Sequence, residues 1–183
     1  MVLINERVQN ILNLIEKFKA VEMLHVYKLY YNYNGGNFNA QKKLTAMVKE
    51  NLIKRKRNNF NARYYYYMEK EPAQVQHKLS LVELYVSLCE RFGISNVYMM
   101  PEYSQLEGIR PDAYVEIIRD NRKYLYFVEV QLCNMPVDIQ KYELIYKNKP
   151  FGNTFPAVLV IGKSCSHDYI KVINIKDYDV SVL

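Results

Sequence analysis

Ile53-Lys54-Arg55-Lys56-Arg57-Asn58-Asn59-Phe60-Asn61-Ala62-Arg63-Tyr64-Tyr65-Tyr66-Tyr67-Met68 is the most informative stretch of this 183-residue chain. A basic run comes first, then an Asn-rich segment that reads as a turn, then a tyrosine run rich in strand-favouring residues. Two short strands joined by such a turn make a hairpin. In its second strand alternate tyrosines are expected to pack inward, because successive side chains of a strand point to opposite faces.

Upstream, three helical patterns lead into this hairpin. Val8, Ile11, Leu12, Leu14, Ile15 and Phe18 recur at helical spacing from Glu6 to Phe18, with polar Arg7, Asn10, Asn13 and Lys17 outside. Val21, Leu24, Val26, Tyr27 and Tyr30 carry a second pattern, which ends at the turn signal Asn32-Tyr33-Asn34-Gly35-Gly36. Asn37 or Asn39 is suited to cap a third helix, with Leu44, Met47, Val48 and Leu52 inward. Gln41, Lys42, Thr45 and Lys49 then lie outward, with Lys43 near the boundary. Three helices followed by a basic hairpin is the order of a winged helix-turn-helix, expected over residues 1–70.

Charge supports that reading. The net charge is +6, but residues 1–76 hold 13 Lys/Arg against 6 Asp/Glu, and residues 77–183 hold 12 against 13. A basic first segment implies a polyanion partner, and double-stranded DNA is the expectation. Lys54, Arg55, Lys56, Arg57 and Arg63 suit phosphate neutralisation, which gives affinity and salt dependence but little sequence information. Base reading falls to Gln41, Lys42, Thr45 and Lys49, since Lys donates to guanine and Gln pairs with adenine. The competing readings are a solvated charged face and a winged helix used as a protein-interaction module.

Other classes are bounded more simply. Half the residues are hydrophobic, 18 of them Tyr, enough for a packed core. No apolar run approaches the ~20 residues of a membrane span, so no membrane partner is expected. The N-terminus lacks a secretory signal layout. Cys89, Cys133 and Cys165 are too few and too scattered for a disulfide framework or a zinc site, so a reducing cytoplasm is expected, with Cys89 and Cys133 as buried free thiols.

Beyond a polar stretch containing Pro72, residues 77–183 read as a second domain. An amphipathic helix spans His77 to Phe92, with Gly93 placed as its C-cap. Strand-like runs follow at Val97–Tyr103, Arg110–Ile118 and Tyr124–Leu132, with a turn at Arg119–Arg122. Pro136 suits the first turn of a helix over Val137–Lys147. Ala157–Gly162 reads as a buried strand, and Ile170–Ile175 as one more. The fold class expected for the whole chain is α+β. Asp112 and Glu129 belong to one hairpin and could converge, and paired carboxylates there could hold Mg²⁺.

Arg110-Pro111-Asp112-Ala113 and Val128-Glu129-Val130-Gln131, in the order helix, three strands, helix, strand, resemble the PD-(D/E)XK nuclease-like fold. With His77-Lys78-Leu79-Ser80-Leu81-Val82-Glu83-Leu84, Lys141, Tyr146 and the preceding winged helix included, residues 5–165 resemble the replication-relaxation family of plasmids, conjugative elements and phages. That resemblance implies a DNA-associated accessory or regulatory role in replication, relaxation or mobilisation, with protein partners in such complexes; a homodimer is a separate expectation, since dimers are common among helix-turn-helix proteins that bind palindromes, and the sequence leaves the oligomeric state open. It also implies a catalytic set of Asp112, Glu129, position 131 and a lysine, with Glu83, Asp112 and Glu129 as metal ligands. The chain departs from the pattern at Gln131, where active nucleases carry Lys; Lys141 is the candidate substitute. Three functions follow: a non-catalytic DNA-binding protein, a Mg²⁺-dependent DNA nuclease, or a module that acts on a host protein. The alternative for the carboxylates is an ion-pair network of Arg110, Asp112 and Glu129 that fixes the hairpin.

Overall fold

The computed structural model describes residues 4–104, 109–133, 137–148 and 155–183. The chain is α+β, with helices and two sheets, and divides into two compact units, residues 1–86 and 87–183. Among the described residues, no helix is long and apolar enough to cross a membrane.

The first unit begins with α1 (Glu6–Phe18), whose N-cap Asn5 accepts a hydrogen bond from the Val8 N–H at 3.0 Å. Its apolar stripe, Val8, Ile11, Leu14, Ile15 and Phe18, is buried as its spacing demands. A two-residue strand, β1 (Val21–Glu22), comes next. It takes the start of the second helical pattern, so α2 is short (Met23–Tyr30). Glu22 caps α2 reciprocally: its carboxylate accepts from the His25 N–H, and His25 Nδ1 accepts from the Glu22 N–H at 3.0 Å.

α3 (Gly36–Lys49) starts before either expected asparagine cap. Gly35 is the N-cap, in the left-handed region at φ 75°. Gly36 passes so close to Tyr31 that a Cβ there would lie 1.7 Å from the Tyr31 carbonyl oxygen. The two glycines therefore fix where α3 begins. Leu44 and Met47 are buried as expected; Val48 is only partly buried, and Leu52 falls beyond the helix.

The hairpin is β2 (Lys54–Arg57) and β3 (Tyr64–Tyr67), and β1 adds to it in the order β1-β3-β2, all antiparallel. β3 is therefore the central strand. Inward packing of alternate tyrosines is not what happens: the neighbours Tyr65 and Tyr66 are both buried. Both faces of β3 are covered. Tyr66 faces α3, and Tyr65 packs with Ala20 and Leu79. Leu79 belongs to α4 (Val75–Phe92). The division between units accordingly falls inside α4, not in the Pro72 stretch between residues 70 and 77, because the start of α4 completes the core of the first unit.

The second unit holds a five-stranded sheet of β4 (Val97–Pro101), β5 (Ala113–Arg119), β6 (Arg122–Gln131), β7 (Ala157–Gly162) and β8 (Val172–Ile175), in sequence order. β4, β5 and β6 pair antiparallel; β6–β7 and β7–β8 pair parallel. Asp120 and Asn121 join β5 to β6 with φ of 52° and 56°, the two positive values that a tight hairpin turn requires. The parallel step from β6 to β7 needs a crossover, which contains a 3₁₀ turn (Gln140–Tyr142) and α5 (Glu143–Asn148). The helix expected from Val137 is thus shorter and later, and its anticipated first-turn Pro136 lies outside the described residues. Phe127, Tyr142, Val158 and Val160 centre the core on one face of the sheet, and Phe127 stacks on Tyr142 with ring centroids 5.4 Å apart.

Cys89 is buried and in no disulfide, as expected. Cys133 is exposed, because it lies past the end of β6.

Candidate functional site

The cations of the first unit are sorted by two periodicities. Along α3, Ala40, Leu44 and Met47 are buried, and Lys42, Thr45 and Lys49 are exposed. At 100° per residue these three lie on one stripe opposite the core. Gln41 lies on the flank of that stripe, where its Nε2 donates to Thr45 Oγ1 at 3.2 Å and to the Tyr66 hydroxyl at 3.3 Å. Lys43, half-buried, is on the other flank.

Along β2 the period is two. Arg55 is opposite Tyr66 and Arg57 opposite Tyr64. Directly opposed residues in an antiparallel pair share a face, so both arginines stand on the face that Tyr66 turns toward Gln41. Arg55 also lies over the Tyr64 ring, 4.8 Å from its centroid. Lys54 and Lys56 oppose Tyr67 and Tyr65, on the other face. There Lys54 Nζ donates to the Glu69 carbonyl at 2.7 Å, and Lys56 Nζ to the Glu71 carboxylate at 2.9 Å. The Tyr65 hydroxyl donates to Glu71 at 2.7 Å. These donors, Tyr65 foremost, hold the Glu71 carboxyl below its ordinary range. The expected set of five hairpin cations is therefore split. Two arginines share a face with α3, and two lysines are turned away.

Arg63, the fifth, pairs with buried Glu22 at 3.5 Å, and Asn61 Nδ2 donates to the same carboxylate at 2.8 Å. Asn58, also buried, shapes the turn by accepting from the Phe60 N–H at 3.0 Å. Phe60 itself is 85 % exposed at the tip. Glu22 thus receives donors from α2 and from the hairpin tip, which orients the hairpin against the helices.

Glu83 is held within the first unit. His25 Nε2 lies 2.9 Å from its Oε2, and Lys28 Nζ 3.4 Å from its Oε1. The hydrogen bond from His25 is the main reason its carboxyl is held below the ordinary range. Glu83 is accordingly an ion-pair residue of the α2–α4 packing.

In the second unit, Asp112 sits just before β5 rather than inside it. The register pairs Ala113 with Val128, which brings Asp112 level with Glu129 on the central strand β6. Asp112 Oδ2 accepts from the Val130 N–H at 2.7 Å. Glu129 is buried, and its Oε1 accepts from the Tyr142 hydroxyl and from Lys141 Nζ, the latter at 2.7 Å. Lys141 lies in the 3₁₀ turn before α5, not inside a helix as expected, and this turn delivers two neighbouring residues to one oxygen. Burial pushes the Glu129 carboxyl up, against the opposing pull of Lys141 and Tyr142. Burial beside Glu129 likewise pushes the Tyr142 phenol up. Gln131 ends β6 opposite Gly162 of β7.

The structure therefore brings Asp112, Glu129 and Lys141 together. The cation on Glu129 is Lys141 and not Arg110, which is exposed. By its place in the sequence Tyr142 is expected only to pack its helix onto the sheet; a Tyr next to a candidate Lys, on an element that crosses a buried Glu, was the available signal for more. Glu129 Oε1 and Asp112 Oδ2 are engaged by protein donors, and among the described residues no group of three or more His, Cys, Asp or Glu could hold one. The arrangement is a buried acid clamped by an ammonium and a phenol. No family model, curated protein or solved structure matches this chain.

Proposed function

We propose that the first ~70 residues act as a winged helix-turn-helix that binds double-stranded DNA, with α3 in the major groove and the β2–β3 hairpin along the backbone. In this reading the second unit, residues 87–183, is a degenerate PD-(D/E)XK nuclease-like domain. The whole is a non-catalytic accessory or regulatory protein of a mobile element, as the resemblance to the replication-relaxation family implies. The observation that carries it is the common face. Lys42, Thr45 and Lys49 form the outward stripe of α3, and Arg55 and Arg57 stand on the hairpin face turned to that helix. A major groove about 12 Å wide admits one helix, and cations beside it neutralise phosphates.

The test is a duplex titration at two salt concentrations. Affinity falls steeply with salt when several cations meet phosphates, with a slope of about −0.9 per contact. Salt-independent binding, or none, overturns the reading.

A second reading, a Mg²⁺-dependent nuclease, is favoured by one observation: Lys141 meets Glu129. It requires Glu129 to exchange its ammonium and phenol donors for a cation. Metal-dependent cleavage that disappears in Asp112→Ala and Glu129→Ala would establish it.

A further inference from the structure

The first unit contains a cavity of about 420 Å³ lined by Asn5, Arg7, Tyr31, Tyr33, Lys42 and Lys43, among others, and by no Asp or Glu. Three cations thus border one concavity. Among the described residues none of the three is paired with a carboxylate, whereas Lys54, Lys56 and Arg63 of the hairpin all have protein acceptors. Arg7 is held in place: its guanidinium lies 4.8 Å from the centroid of the Tyr31 ring, and Tyr31 is buried. Asn39 Nδ2 donates to the Tyr33 hydroxyl at 3.3 Å, which fixes that wall. Like charges gathered without counter-charge repel one another, and an anion in the cavity relieves that repulsion.

The location specifies the anion. Gln41 and Lys43 are two residues apart on α3, about 200° around the axis. Gln41 marks the flank that meets the hairpin; Lys43 marks the opposite flank, which the cavity borders. A helix in a major groove lies between two phosphate strands. The hairpin arginines answer only one of them.

We infer that the cavity bordered by Arg7 and Lys43 is a phosphate subsite, gripping a backbone phosphodiester of the strand on the side of α3 away from the hairpin, next to Lys42 of the outward stripe. This rests on the DNA-binding reading of α3. It adds a contact from α1, whose Arg7 the sequence pattern assigned only to a polar outer face.

The experiment compares the full chain with Arg7→Gln/Lys43→Gln, Arg7→Lys/Lys43→Arg and the control Lys70→Gln. Each is titrated with a duplex between 50 and 200 mM salt, and circular dichroism melting confirms folding. Two lost phosphate contacts lower the salt slope by about 1.8. The Gln pair should therefore lose that slope and roughly tenfold in affinity at the lower salt, while the charge-preserving pair and Lys70→Gln keep the wild-type slope. Wild-type binding with an unchanged slope in the Gln pair overturns the subsite and leaves the DNA reading intact. Absence of duplex binding by the wild type sinks the DNA reading and with it the phosphodiester assignment. Inorganic pyrophosphate, followed by NMR shifts, then reports on the cavity's anion chemistry alone. Saturable shifts at Arg7 and Lys43, lost in the Gln pair, support an anion subsite, and their absence overturns it.

Discussion

Arg55 stands directly across the hairpin from Tyr66, whose hydroxyl accepts from Gln41 of α3. One cross-strand pair thereby aligns a hairpin cation with a residue on the flank of the outward helix stripe. Lys56, one position along, is opposite Tyr65 and turns to Glu71.

Two double variants with the same change in charge should therefore behave differently. Arg55→Gln/Arg57→Gln should reduce the salt slope of duplex binding by about 1.8 and weaken all sequences by a similar factor. Lys54→Gln/Lys56→Gln should change the slope by much less. Fluorescence anisotropy at several salt concentrations measures both, and equal losses would show that the hairpin face is irrelevant.

Lys42 is on the outward stripe of α3, which the DNA-binding proposal assigns to base edges. Lys42→Ala should change which base pair is preferred at one position, by about 1–3 kcal/mol of discrimination. Selection of binding sites from a randomised duplex pool reads this out. An unaltered consensus with uniformly weaker binding would reassign Lys42 to phosphate contact.

Glu22 is buried and receives the His25 N–H, Asn61 and Arg63. Glu22→Ala removes the α2 cap and leaves the hairpin tip unanchored. Loss of the cap alone costs about 0.5–2 kcal/mol, so urea unfolding should show a loss of about 1–3 kcal/mol. The hairpin amides near Asn61 should also exchange faster with solvent. Unchanged stability would mean that the network merely accompanies the hairpin's position.

Two glutamates should contribute to stability with opposite pH dependence. The Glu83 carboxyl is lowered, chiefly by its hydrogen bond from His25. Its contribution is present above the ordinary glutamate value of about 4.3 and is lost as pH falls through the lowered folded value. The Glu129 carboxyl is raised, chiefly by burial. Its contribution is present below the ordinary value and is lost as pH rises through the raised folded value. Urea midpoints measured from pH 3 to 7 should therefore show Glu83→Gln gaining on the wild type toward acid and Glu129→Gln gaining toward neutrality. Slopes of the same sign would contradict the two environments.

The amino-acid order was sufficient for the α+β class, for the extent of the first helix, for the strand Ala157–Gly162 and for the Arg119–Arg122 turn. Each of these rests on local preference: a 3.6-residue apolar stripe, a continuous apolar run, or residues that tolerate positive φ. Which hairpin cations share a face with α3 was decided elsewhere. That depends on the register of β2 against β3 and on the burial of β3 from both sides, and a run of four basic residues beside four tyrosines carries no mark of either. The company of Glu129 and Lys141 is of the same kind. They are far apart in the chain's local pattern, and they meet because a buried strand needs a crossover above it and a 3₁₀ turn there supplies the donors. Periodicity reports which residues a helix or strand turns inward; pairing and packing across distant segments determine which charges end up as neighbours.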